Sequence, residues 1–149
     1  MSDSSEILNN AWRDERVPLL NGLMFPDGER TEVNWTGNRI VIGQQSRWDL
    51  LDLDDEWTYF TELCRVAVPN GKLLVIAGEG GLGTDGVIAL VDASDNSLRW
   101  LLFMDSSNPF SHVDIVNERI NAKTTLDTTW TLDLTQPGFI AVSNGLLKA

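Results

Sequence analysis

Read as hydrophobic and polar positions, the chain is densest in apolar residues between Lys72 and Asp105, and the rest is organised around that stretch. Three apolar blocks lie there: Leu73 to Ala77, Val87 to Val91 and Leu98 to Met104. The first two are unbroken runs of Val, Ile, Leu and Ala, too short for interior helices and suited to strands buried on both faces. Between the blocks stand GEGGLGTDG and DASDNS. Both compositions turn a chain, because glycine reaches positive φ and Asp, Asn and Ser side chains bond back to nearby backbone. The spacing predicts three consecutive antiparallel strands. The last two form a hairpin over residues 84–105, with strands near 86–92 and 98–104.

On either side the pattern changes. In residues 4–16, Ile7, Leu8, Ala11 and Trp12 share one helical face, Ser4 or Ser5 can cap, and Glu6 sits in the first turn. Pro18 breaks this helix. Between Leu19 and Gly43, Val33 and Trp35 alternate with Glu32, Asn34 and Thr36 among closely spaced turn signals. A strand pair is expected near 30–36 and 39–43, with Leu23 to Phe25 as a third member. Residues 52–67 read as the main helix: Trp57, Phe60, Leu63, Cys64 and Ala67 make an apolar stripe, and Pro69-Asn70-Gly71 stops it. Asp52, Asp54, Asp55 and Glu56 crowd its start, where carboxylates meet the positive end of the helix dipole. The tail alternates at Val113, Ile115 and Ile120, then at Trp130, Leu132 and Leu134, and ends its apolar content at Phe139 to Val142. The expected fold is α+β, a single domain over residues 1–149: an antiparallel sheet of about six or seven strands with one main amphipathic helix and a short N-terminal helix.

Charge narrows the function classes. Twenty-two acidic against 11 basic residues give a net charge of −11. Phosphate contacts dominate nucleic-acid affinity, so a chain without a basic stripe is a poor binder of DNA or RNA, and anionic lipid repels it too. No apolar run approaches the roughly 18 residues of a membrane-spanning helix. The opening MSDSSEILNNAWRDER has neither the basic region nor the apolar core of a secretory signal. Together with a single cysteine, Cys64, this makes a reducing cytoplasm the expected compartment.

Candidate chemistry is sparse. One His and one Cys without metal-ligand spacing argue against a zinc site, and no cofactor is implied. His112 stands beside Ser111 and Asp114, but adjacency along a strand does not converge three groups on one ring, so no catalytic set is assigned. Cys64 falls on the apolar stripe and reads as an inert buried thiol. Gly78, Gly80 and Gly83 fit G-x-G-x-x-G, with Asp105 further on, and would be the cofactor-binding residues of a nucleotide site. The sequence after Gly83 resists that reading, because Thr-Asp-Gly-Val-Ile-Ala-Leu-Val is a poor helix opening.

Of the six tryptophans, Trp35, Trp57, Trp100 and Trp130 sit on predicted element faces and belong to the core. Trp48 instead follows Arg47 and opens an acidic run, the composition of an interface anchor. Asp49, Asp52, Asp54, Asp55 and Glu56 put five carboxylates into eight positions. With Trp48 they are the candidate partner-binding residues, and a negative field of this kind steers basic proteins inward. The sequence thus favours a non-enzymatic, acidic protein-binding domain with a basic protein partner. A stoichiometric inhibitor, of the kind represented by bacterial toxin-immunity proteins, matches in size and charge. The alternative is a nucleotide or small-ligand binder, or an enzyme, using the glycine-rich loop 78–86.

Overall fold

A computed structural model of the chain describes residues 4–36, 39–47, 57–138 and 140–144. Among these there are one helix and thirteen strands. The helix α1 (Ser4–Arg13) is followed by β1 (Arg16–Pro18), β2 (Gly22–Met24), β3 (Glu29–Trp35) and β4 (Ile40–Arg47). Next come β5 (Trp57–Tyr59), β6 (Thr61–Ala67), β7 (Leu73–Glu79), β8 (Gly86–Asp92) and β9 (Leu98–Met104). The last four are β10 (Phe110–Val116), β11 (Arg119–Thr124), β12 (Thr128–Asp133) and β13 (Ile140–Asn144). A seven-stranded sheet runs in the order β4-β3-β2-β9-β8-β7-β6, a four-stranded meander comprises β10 to β13, and β1 pairs with β5 in a short ribbon.

The central strands are apolar throughout because both faces of the large sheet are covered. On one face Ile88 and Leu90 join Leu23, Val75, Trp100 and Leu102 against Phe110, Val113, Ile120, Trp130 and Leu132 of the four-stranded sheet. On the other, Val87, Ala89, Val91, Leu101 and Phe103 meet Leu8 and Trp12 of α1, Val17 and Phe60. The hairpin expected at 86–92 and 98–104 is the β8–β9 pair, with Ile88 opposite Leu102. Its register shifts once, where Leu90 faces Trp100 and Val91 faces Leu98. The extra residue, Arg99, lets Leu98 and Trp100 point to opposite faces although they are two apart, as a β-bulge does.

The α+β expectation is overturned: this is a mostly β arrangement of three sheets, of two, seven and four strands, with one short helix. The main helix expected over 52–67 is absent from residues 57–67, which form β5 and β6; residues 52–56 lie outside the described residues. Two physical effects produced the helical spacing. At Phe60 the chain leaves one sheet for another, its N–H donating to the Glu15 carbonyl at 2.7 Å. A second β-bulge then falls between Glu62 and Cys64 in the β6–β7 register. Phe60 faces the helix side, whereas Cys64 and Val66 pack toward the four-stranded sheet. The apolar residues thus serve two faces, and Leu63 of the supposed stripe is exposed. The tail strands also differ from expectation: they build a second sheet across the first. The N-terminal helix is present but stops at Arg13, and Glu15 reverses the chain at φ 59°.

Candidate functional site

The glycine-rich loop closes on an anion of its own. Asp85 is fully buried. Its Oδ1 accepts the Gly80 N–H at 2.8 Å and its Oδ2 the Leu82 N–H at 3.3 Å. The Gly81 N–H donates to Thr58 Oγ1 at 2.8 Å, and the Thr84 carbonyl accepts the Asn108 N–H at 2.8 Å. A Cβ on Gly80 would collide with the Asp85 carboxylate, and one on Gly78 with the Thr61 carbonyl across the β6 bulge. Those two glycines therefore answer to internal crowding. After Gly83 the chain enters β8, so no helix N-terminus stands where a pyrophosphate would need one. Gly78, Gly80 and Gly83 do lie in one loop region, but the Gly80 and Leu82 amides already serve Asp85.

His112 is exposed on β10 opposite Lys123, while Ser107 is buried and donates its hydroxyl to the Asn108 carbonyl at 3.0 Å. Ser111 and Asp114 are likewise exposed on β10, with Asp114 opposite Asn121. Cys64 is partly buried. Burial pushes its thiol pKa up, against the pull of the Val113 backbone N–H, and Glu62 adds to the rise, so the thiolate is disfavoured. Among the described residues no three His, Cys, Asp or Glu side chains group as metal ligands. Nor is any helix among them long and apolar enough to cross a membrane. Trp48, Asp49, Asp52, Asp54, Asp55 and Glu56 all lie outside the described residues, between the end of β4 and the start of β5.

The feature the structure adds is an open edge. The two stacked sheets meet closely on one side, where β10 runs along β6 and Val113 reaches Cys64. On the other side β4 and β13 are the outermost strands of their sheets, and no strand among the described residues pairs with the free edge of either. A cleft of about 380 Å³ lies in this seam, and one of about 420 Å³ adjoins it over the outer side of β13, where Arg119, Thr131, Asp133 and Ala141 stand. Ile42 and Gly138 line both; Ile140 and Ala141 wall one, and Leu23, Phe25 and Gln45 the other. Ile42 remains 40% exposed and its neighbour Val41 41%.

The hydrogen-bond phase of β4 follows from its turn. The Thr36 N–H donates to the Arg39 carbonyl at 3.1 Å, closing the β3–β4 hairpin. Antiparallel pairs alternate, so Asn34–Val41 exchanges hydrogen bonds, whereas Trp35–Ile40 and Val33–Ile42 do not. The N–H and C=O of Ile40 and Ile42 consequently point away from β3, toward the open side. From Ile40 to Ser46 the strand has no Lys, Asp, Glu or Pro, the residues that usually blunt an edge. Sequence reasoning missed this edge, although the uninterrupted IVIGQQS carried the signal. No protein-family model matches the chain, and no curated protein sequence is significantly similar to it.

Proposed function

We propose that this chain is a non-enzymatic, acidic protein-binding domain of the cytoplasm, acting as a stoichiometric inhibitor of a basic protein, as toxin-immunity proteins do. The observation that carries the reading is the β4 edge, which has no Lys, Asp, Glu or Pro before Arg47 although a β-bulge interrupts it after Ile42, followed directly in the chain by the carboxylates of Asp49 to Glu56. Even at a helix terminus a charge contributes only about 0.3–1 kcal/mol to structure, and neighbouring like charges repel. A basic partner relieves that repulsion and gains association rate. The test is co-purification with the product of the neighbouring reading frame, followed by binding kinetics against salt. Asp54 and Asp55 reversed to Lys should slow association and flatten its salt dependence with the fold intact, and Trp48→Ala should speed dissociation. Binding indifferent to all three changes would make the acidic run a solvated face.

The ligand alternative, through Gly78, Gly80 and Gly83, requires Asp85 to leave the loop amides it occupies. Millimolar nucleotide is therefore expected to leave the melting temperature unchanged, since a ligand without affinity for the native state adds no stability. A reproducible rise would restore the alternative.

A further inference from the structure

We infer that β4 is a docking edge at which an extended basic segment of the partner adds as an eighth strand to the seven-stranded sheet, its inward side chains entering the seam between β4 and β13. The inference rests on the acidic-binder reading and specifies its geometry. Three observations carry it. Ile40 and Ile42 direct their backbone donors and acceptors to the free side, as worked out from the register. An added strand bonds to such groups, and every second side chain then faces the seam, where Leu23, Phe25 and Ile42 offer an apolar lining. The strand itself is uncharged until Arg47, while Glu32 lies against Gly43 on its outer face. Asp133 and its register partner Arg119 pair on the outer face of the four-stranded sheet, beside this seam. Five carboxylates follow Arg47 along the chain. With the whole molecule at −11, the occupant that gains is a strand with apolar residues inward and Lys or Arg outward.

A second copy of this chain is the competing occupant, and its charge argues against it. Two such molecules would bring their like net charges together along β4.

The probe is a synthetic peptide of about nine residues alternating Lys and Val, long enough to span β4. A peptide alternating Glu and Val is the control, and amide exchange by NMR the readout. The Lys/Val peptide is expected to slow exchange at Ile40 and Ile42, and the Glu/Val peptide to leave both unchanged. Ile42→Pro removes an outward donor at a position where an edge strand tolerates proline, and should weaken binding at least about tenfold. Exchange mapping on the unmodified protein keeps the test valid if that variant folds poorly. Protection confined to other strands, or equal binding of the Glu/Val peptide, overturns the inference. So does a concentration-dependent dimer that Ile42→Pro abolishes. If the Lys/Val peptide binds in a salt-dependent way with Ile40 and Ile42 unprotected, the docking mode fails and the acidic-binder reading survives. If no basic probe or partner binds, both fail.

Discussion

Asp85 shows how one residue can explain a motif. Its buried carboxylate holds the Gly80 and Leu82 amides, so the glycines shape a loop around it and those two donors are already taken. Asp85→Ala is expected to leave those amides unpaired and cost about 1–3 kcal/mol, read as a lower urea midpoint at unchanged slope. Gly78→Ala drives a methyl into the Thr61 backbone carbonyl and should cost a further about 1–3 kcal/mol by overpacking. His112→Ala and Cys64→Ser should leave any activity of the protein within a few-fold of the original. A loss of about a thousandfold, the scale of a removed catalytic group, would reassign them.

Among elements, the turns carry the pH dependence. The Ser94 hydroxyl, then its N–H, holds the Asp92 carboxyl below its usual range, and the Ser97 hydroxyl and N–H do the same for Asp95. The Thr135 N–H, its hydroxyl and the Gln136 N–H lower Asp133. A carboxylate whose folded pKa lies below the unfolded value, about 3.9, stabilises fully above that value and loses the contribution as pH falls through the folded one. Stability should therefore be flat in this respect above about pH 5 and decline below about pH 4, and Ser94→Ala with Ser97→Ala should make the decline shallower. The Asp92–Ser97 turn was legible in the sequence, because DASDNS fixes local chemistry between two apolar runs; the turn at Asp133 was not. The β8–β9 hairpin, α1 and the β3–β4 pair were legible for the same reason. Residues 57–67 were not. A bulge and a change of sheet displaced the period-two alternation, and only the strands packed above and below determine which face Phe60, Cys64 and Val66 take. The β4 edge was obscure for a related reason: a strand's freedom on one side depends on what the rest of the chain leaves uncovered.

For the whole molecule, net charge and topology act together. At −11 the folded state is self-repelling, so moderate salt should raise the melting temperature in the absence of a partner. The strand order adds a kinetic cost. Leu23 lies opposite Leu102, and β3 and β4 join the large sheet only through β2. Helix α1 is held the same way, with the Asn9 side chain accepting the Leu98 N–H at 2.7 Å and Trp12 donating to Asn96 at 3.4 Å. During synthesis, then, β2, β3 and β4 wait for β9 to leave the ribosome, on the order of ten seconds at ordinary elongation rates. Throughout that interval Val41 and Ile42 are presented on an unattached hairpin, because the β2–β9 pairing that joins it to the large sheet is distant in sequence. Nascent chains halted before Leu98 are expected to be cut readily by protease and to engage chaperones, with full resistance appearing only once the strands through β12, which cover the other face, have also emerged.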